Sequence, residues 1–200
     1  MRRIGVFGGT FDPPHLGHLV LAERARDQLG LDRVVFVPAG TPPHKVGRTL
    51  SGATARVAMT RLAVRGNRAF TVSTFETRRV GPSFTVDTLR AMRAAWKGAR
   101  LFLLLGGDSL REFDTWHEPE AILRLATLAV ASRPGRVAER ATRAARRCAP
   151  HSILEIEGDP LAISSTELRA RARQGRSIRY LVPEAVAAYV RRHRLYGGTT

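Results

Sequence analysis

The chain has 200 residues, of which 44% are hydrophobic and 25% are charged, a composition typical of a folded domain and not of a disordered chain. Its apolar runs are too short to cross a bilayer, and its one cysteine, Cys148, cannot form an internal disulfide, so we expect a single cytoplasmic domain over residues 1–200 without a membrane segment. Lysine and arginine total 33 against 17 acidic residues, and this net charge of +16 favours anionic partners without identifying one.

Short apolar runs alternate with segments of helical periodicity along the chain. The predicted strands cover residues 3–7, 33–38, 70–74, 100–107, 127–132 and 152–157. The predicted helices cover residues 15–30, 54–66, 85–96, 118–126 and 136–147, and two last helices begin near Ser164 and Pro183. This alternation predicts an α/β fold: a doubly wound, Rossmann-like, mostly parallel sheet flanked by helices. The proline-rich segment 37–52 is predicted to be a long loop.

Three loops with unusual chemistry, segments 8–18, 106–116 and 163–169, are predicted at the carboxyl edge of the sheet, where ligands bind in this class of fold. The first, GGTFDPPHLGH, covers residues 8–18. Gly8 and Gly9 allow a sharp turn, and His15 and His18 are spaced to share one face at a helix N-terminus, which is an outline of a phosphate site. The stretch is not a G-x-G-x-x-G fingerprint, a Walker loop or an H-E-x-x-H zinc motif.

The segment ISSTELR, residues 163–169, is the second candidate phosphate motif. Ser164, Ser165 and Thr166 are predicted at a helix N-terminus, with Arg169 one turn further along. An ordinary capping box, formed by Ser164 or Ser165 with Glu167, explains the same pattern, so this segment alone does not predict a phosphate site.

The first of these motifs resembles the HxGH signature of the nucleotidyltransferase superfamily, and the second resembles that superfamily's other phosphate motif. Segments 36–45, 83–89, 106–118 and 177–190 are similar to those of bacterial nicotinate-nucleotide adenylyltransferases, so the resemblance covers nearly the whole chain. It implies adenylyl transfer from ATP to nicotinate mononucleotide, giving deamido-NAD and pyrophosphate in NAD biosynthesis. It also implies Mg²⁺ bound through the ATP phosphates and water, with no protein metal ligands.

The resemblance further implies roles for individual residues. His15, His18 and Arg169 are the implied catalytic residues. The implied ATP-binding residues are Gly8, Gly9, Thr10, Phe11, His15, His18, Gly106, Asp108, Ser164, Ser165, Thr166 and Arg169. Phe11 and Phe113 are also open to interpretation as packing or lid residues. The implied mononucleotide contacts are Lys45, Thr85, Thr88 and Trp116, the last by stacking on the pyridine ring; Thr85 is also a predicted helix N-cap.

The sequence leaves four other functions open. Two are related enzymes that use nicotinamide mononucleotide or pantetheine phosphate, which segments 83–89 and 113–118 disfavour. A fragment of an aminoacyl-tRNA synthetase would need a lysine-rich second loop. A basic nucleic-acid-binding module would use the +16 charge directly but leaves the clustered motifs unexplained. We expect small-molecule substrates, no specific nucleic acid and a monomer or small homo-oligomer.

Overall fold

Six parallel strands form one sheet in the computed structural model, which describes residues 1–41, 50–131 and 153–197. The strands are β1 (Arg3–Gly9), β2 (Arg33–Pro38), β3 (Phe70–Val72), β4 (Arg100–Gly106), β5 (Thr127–Ala131) and β6 (Ile153–Ile156). Their order across the sheet is β3-β2-β1-β4-β5-β6, and every neighbouring pair is parallel. The order reverses between β1 and β4, which creates a crevice at the carboxyl ends of these two strands.

Helices connect the strands and follow the last one. They are α1 (Leu16–Gln28), α2 (Ala53–Val64), α3 (Thr85–Ala95), α4 (Gly107–Arg111), α5 (Pro119–Leu125), α6 (Ser165–Arg173) and α7 (Glu184–Arg192). Short 3₁₀ turns occur at Glu76–Arg78, Phe113–Thr115 and Leu195–Gly197. Within the described residues, no helix has the length and apolar character needed to span a membrane.

The central strand β4 shows why the sheet is covered on both faces. Leu101 and Leu103 belong to one buried cluster, which includes residues of α3 and α5, whereas Phe102 and Leu104 belong to another, which includes residues of α1. A continuous apolar run is therefore required here, because successive side chains point to opposite faces and both faces are dry. A third cluster joins α2, α6 and α7.

The doubly wound parallel fold expected from the sequence is confirmed, and the β2 bounds match the predicted residues. The last two helices begin near Ser164 and Pro183, as predicted, and these two residues are their N-caps. The expected N-cap at Thr85 is wrong, because Phe84 is the N-cap and Thr85 is the first helical residue. The predicted helix 136–147 and residues 42–49 of the predicted loop lie outside the described residues.

Candidate active site

A cavity of about 690 Å³ lies at the carboxyl edge of the sheet, where the strand order reverses. The loop after β1, the starts of α1 and α4 and the segment that leads into α6 all line it. The lining includes these predicted ATP-binding residues: Gly8, Gly9, Thr10, His15, His18, Gly106, Asp108, Ser164, Ser165, Thr166 and Arg169. Both candidate phosphate motifs therefore face one space, although they are about 150 residues apart in the chain.

Phe11 does not line this cavity, so its position supports the packing interpretation over ATP binding. It is 1% exposed and lies edge-on to the His18 ring at 5.1 Å between ring centroids. Its φ of 49° places it in the left-handed region, which allows the loop to turn between β1 and α1. Phe7 packs against His18 from β1, at 5.9 Å. The two phenyl rings thus fix one side of the His18 imidazole.

The two histidines stack on each other at the beginning of α1, with ring centroids 3.7 Å apart. His15 is the N-cap residue, and its backbone N–H donates to Nδ1 of His18 at 3.1 Å. An accepting Nδ1 carries no proton, so neutral His18 has its proton on Nε2. Burial lowers the pKa of His15 to about 4, so that this imidazole is also neutral at neutral pH.

Gly17 is required by the position of the His15 ring. A Cβ atom at residue 17 would approach Nδ1 of His15 to 3.0 Å, which is tighter than most contacts in proteins. This nitrogen is buried and has no hydrogen-bond partner among the described residues. The glycine therefore allows His15 to lie flat against the helix start, next to the cavity.

The hydroxyls of the second motif are engaged within the protein. Ser164 Oγ accepts from the backbone N–H of Glu167 at 3.1 Å and so caps α6. Ser165 Oγ donates to the carbonyl of Pro13 at 2.9 Å, which ties the helix start to the first motif. The first-turn N–H groups of a helix lack intrahelical partners, so α6 still offers an anion site at its N-terminus.

Arg169 joins the two motifs directly. Its Nη1 group donates to the carbonyl of Asp12 at 2.8 Å, and its Nη2 group donates to Thr166 Oγ1 at 3.2 Å. The guanidinium lines the cavity while both ends of its planar fork are held. This arrangement presents a fixed positive charge next to two neutral imidazoles.

The predicted mononucleotide contacts lie elsewhere. None of Thr85, Thr88 and Trp116 is among the residues that line the cavity. Thr88 is buried and its hydroxyl donates to Glu76 at 2.5 Å, while Trp116 packs against Phe113 at 5.4 Å between ring centroids. Thr85 and Thr88 lie in the first turn of α3, which begins at the same edge of the sheet, and Lys45 lies outside the described residues.

Some cavity residues were not predicted from the sequence. Arg24 lines the cavity and donates to the carbonyl of Asp159 at 2.7 Å. Helical spacing could have identified it, because Gly17, Leu21 and Arg24 recur on one face of α1. Leu161 also lines the cavity and is 43% exposed, an apolar surface with no signal in the sequence.

The described residues contain no group of three His, Cys, Asp or Glu side chains placed to hold a metal ion. Asp108 is the one carboxylate among the described residues that line the cavity, and it forms an ion pair with Arg111. This donor set fits a Mg²⁺ ion that is carried by the phosphates of a nucleotide, because Mg²⁺ usually keeps water and phosphate ligands at such sites.

Comparison with known proteins identifies the family. The cytidylyltransferase-like family model matches residues 6–171. A Thermomicrobium roseum protein is 46% identical over 197 residues, covering 98% of this chain and 92% of the relative. A Thermus thermophilus protein is 47% identical over 194 residues, covering 97% and 99%. Both relatives carry the name "Probable nicotinate-nucleotide adenylyltransferase".

Solved structures agree in fold. Plasmodium falciparum nicotinic acid mononucleotide adenylyltransferase, complexed with NaAD, is 16% identical, with a TM-score of 0.80 over 100% of this chain and 99% of the other. At this identity the likeness concerns the fold alone. The family model matches residues 6–171, and the two relatives are 46% and 47% identical over nearly their full length. The chain therefore belongs to the cytidylyltransferase-like family and, within it, to the nicotinate-nucleotide adenylyltransferases.

Proposed function

We propose that this protein transfers the adenylyl group of ATP to nicotinate mononucleotide, giving deamido-NAD and pyrophosphate in NAD biosynthesis. The observation that carries the proposal is the hydrogen bond from Arg169 to the carbonyl of Asp12, which joins both phosphate motifs at one cavity. The near-full-length relatives bear the corresponding name. The same family membership supports an enzyme that acts on small molecules, and we propose that it does so in the cytoplasm, as a monomer or small homo-oligomer.

In the proposed reaction a phosphate oxygen of the mononucleotide attacks the α-phosphorus of ATP. A new P–O bond forms in line with the bond between the α-phosphorus and the oxygen that bridges to the β-phosphate. That second bond breaks, and the bridging oxygen leaves as part of pyrophosphate. Such a reaction needs no protein nucleophile, so catalysis depends on positioning and on stabilising the negative charge that spreads over the phosphate oxygens.

The residues of the cavity are suited to that task. We assign the Nε2–H group of His18 and the imidazole of His15 as neutral hydrogen-bond donors to the triphosphate. Arg169 supplies the planar fork, and the N-terminus of α6 supplies backbone N–H groups for the terminal phosphates. Leu161 and Ile163 offer an apolar surface for the adenine ring, and Asp108 offers an acceptor for a ribose hydroxyl.

The Mg²⁺ ion belongs to the proposal as a partner of the ATP phosphates. When bound, the Mg²⁺ ion would neutralise negative charge on the pyrophosphate that leaves. Asp108 is the carboxylate of the described lining that would be available to the water ligands of this ion.

The choice between acid and amide substrates is assigned to the region of Thr85 and Trp116, with Lys45 as the phosphate contact. A carboxylate only accepts hydrogen bonds, whereas a carboxamide adds two N–H donors. Backbone N–H groups at the start of α3 and near Trp116 would donate hydrogen bonds to the carboxylate of the acid. With the amide, the same N–H groups would face the N–H donors of the substrate and find no acceptor there. A site with such polar matching rejects a mismatched analogue strongly, because buried groups are left unpaired.

The test is to incubate the protein with ATP and Mg²⁺ and, separately, nicotinate mononucleotide, nicotinamide mononucleotide and pantetheine phosphate, and to identify the products by mass. We expect a kcat/KM for the acid at least about a hundredfold above that for the amide. The preference should persist at high salt, where the general positive field is screened. Comparable values for acid and amide would contradict the proposed pocket, and no dinucleotide product would contradict the function.

A further inference from the structure

The carboxylate of Asp12 is completely buried between three separate parts of the chain. The hydroxyl of Tyr196 donates to its Oδ1 at 2.7 Å, and the backbone N–H of Ser51 donates to its Oδ2 at 3.0 Å. The backbone carbonyl of the same residue accepts from Arg169. Asp12 thus connects the loop after β1, the start of α2, the helix α6 and the last 3₁₀ turn.

A buried carboxylate is stable only when charge-assisted hydrogen bonds replace its water. The guanidinium of Arg56 lies in the same buried region and attracts Asp12 electrostatically, while it donates to the carbonyl of Thr10 in the same loop. Burial and the nearby Asp12 raise the pKa of Tyr196 above its ordinary range, so this hydroxyl remains a donor. Tyr196 itself does not line the cavity.

The direction in which Arg169 points depends on this arrangement. Its Nη1 group is held by the carbonyl of Asp12 and its Nη2 group by Thr166. Because the side chain of Asp12 is fixed by Tyr196 at one oxygen, the peptide plane that carries its carbonyl has little freedom to rotate. Loss of the Tyr196 hydroxyl leaves Asp12 held by the backbone N–H of Ser51 at its other oxygen, so the carbonyl and one end of the guanidinium fork gain freedom to move.

We propose that Tyr196 is a positioning residue of the ATP site: its hydroxyl fixes Asp12, and the carbonyl of Asp12 aims the guanidinium of Arg169 at the triphosphate. The inference rests on the proposed function, in which Arg169 binds ATP. It assigns to the last described turn of the chain a role in nucleotide binding, through a residue that touches no substrate.

The test compares Tyr196→Phe with Tyr189→Phe, which removes the hydroxyl of another partly buried tyrosine packed against the same apolar cluster. We expect Tyr196→Phe to weaken binding of a non-hydrolysable ATP analogue about tenfold and to raise the KM for ATP similarly, with the KM for the mononucleotide unchanged. Tyr189→Phe should change neither. A purely structural role for Tyr196 would lower the melting temperature and leave both constants unchanged per folded molecule, which would overturn the inference.

A double-mutant cycle with Arg169→Lys tests whether Tyr196 acts through Arg169. Lysine keeps the charge but lacks the fork, so Tyr196→Phe should have almost no further effect on ATP-analogue binding in that background. Independent, additive losses would contradict the inference. Asp12→Asn perturbs the same hydrogen bond while leaving the ring hydroxyl in place, and it should weaken ATP-analogue binding in the same direction.

These outcomes are distinct from a failure of the proposed function. Wild-type protein that forms no dinucleotide from nicotinate mononucleotide would contradict the function, because product formation is measured separately from nucleotide binding. The ratio of ATP-analogue affinities between wild type and Tyr196→Phe would still decide the role of Tyr196.

Discussion

His15 and His18 have different surroundings although only two residues separate them. His15 is 6% exposed and kept neutral by burial, whereas Nδ1 of His18 is occupied by a backbone N–H. In the proposed site, both imidazoles would therefore act on phosphate charge as N–H donors, and Arg169 would supply the formal positive charge. Donors of this kind need no reorganisation when charge develops in the transition state.

The role of His18 is tested by comparing His18→Asn with His18→Ala. Asparagine can still accept from the N–H of His15 through Oδ1 but lacks a donor at the position of Nε2, whereas alanine lacks both. We expect kcat to fall by about 10²–10³ in both variants. The free energy of unfolding should fall by about 1 kcal/mol in the alanine variant alone. A near-native kcat in His18→Asn would remove His18 from the phosphate site.

The low pKa of His15 predicts a pH dependence of stability. Its folded-state pKa is about 4 against an ordinary value of 6.5, so between these values the unfolded chain binds more protons than the folded one. The contribution of His15 to the free energy of unfolding is therefore fully present above pH 6.5. It is lost as the pH falls toward 4, and the loss is at most about 3 kcal/mol. Urea unfolding of wild type and His15→Asn across this range measures the difference, and parallel curves for the two proteins would contradict the prediction.

Helix α2 holds two loops of the site in place through one buried side chain. Arg56 is 3% exposed and donates to the carbonyls of Thr10, Ala39, Gly40 and Ser51. These carbonyls belong to the loops after β1 and β2 and to the segment that enters α2. A single guanidinium thus satisfies backbone acceptors that would otherwise be buried and unpaired.

Arg56→Lys should therefore destabilise the fold, because an ammonium has three donors and no planar fork to reach all four carbonyls. We expect the free energy of unfolding to fall by about 2–3 kcal/mol. Arg61→Lys provides the matched control, since Arg61 is exposed on the same helix and its replacement should have almost no effect. Denaturant titration of both variants measures the contrast, and equal stability would show that the four hydrogen bonds contribute little.

Most elements could be predicted from the sequence because their signal is local. The strand β2 is an apolar run between Arg33 and Pro38, and the start of α6 has a serine that can cap it. The start of α3 could not be predicted by the same rule, since its N-cap is Phe84, whose side chain offers no oxygen. The burial of Arg56 could not be predicted either, because an arginine in a helical pattern indicates a solvated face. The carbonyls that accept its hydrogen bonds come from segments that are distant in the sequence.

At the scale of the whole molecule, the two halves of the site differ in how they could be predicted. The proposed ATP half consists of two continuous motifs, so both candidate phosphate segments can be read in the sequence, and the fold brings them together at one cavity. The mononucleotide half depends on single residues from separate loops, and the predicted contacts Thr85, Thr88 and Trp116 lie apart from the cavity. Their roles stay predictions, as does that of Lys45.

The net charge of +16 also acts on the whole molecule. Described ion pairs such as Arg26–Glu23 and Arg90–Glu118 involve partly exposed side chains, so they offset little of the repulsion among arginines. Raising KCl from about 10 mM to about 300 mM should therefore increase the free energy of unfolding, on the order of 1 kcal/mol, by screening that repulsion. Arg192→Glu, on an exposed position of α7, should reduce this salt dependence. A stability that decreases with salt would contradict the prediction.

The hydrogen bond between Asp12 and Tyr196 also bears on when the protein becomes active during its synthesis. A ribosome makes the loop after β1 before it makes Tyr196, which lies 184 positions later in the chain. A nascent chain that already contains both phosphate motifs thus lacks the residue that sets the aim of Arg169. We then expect the affinity for ATP to rise about tenfold once residue 196 has left the exit tunnel, so chains that lack it would hold less nucleotide.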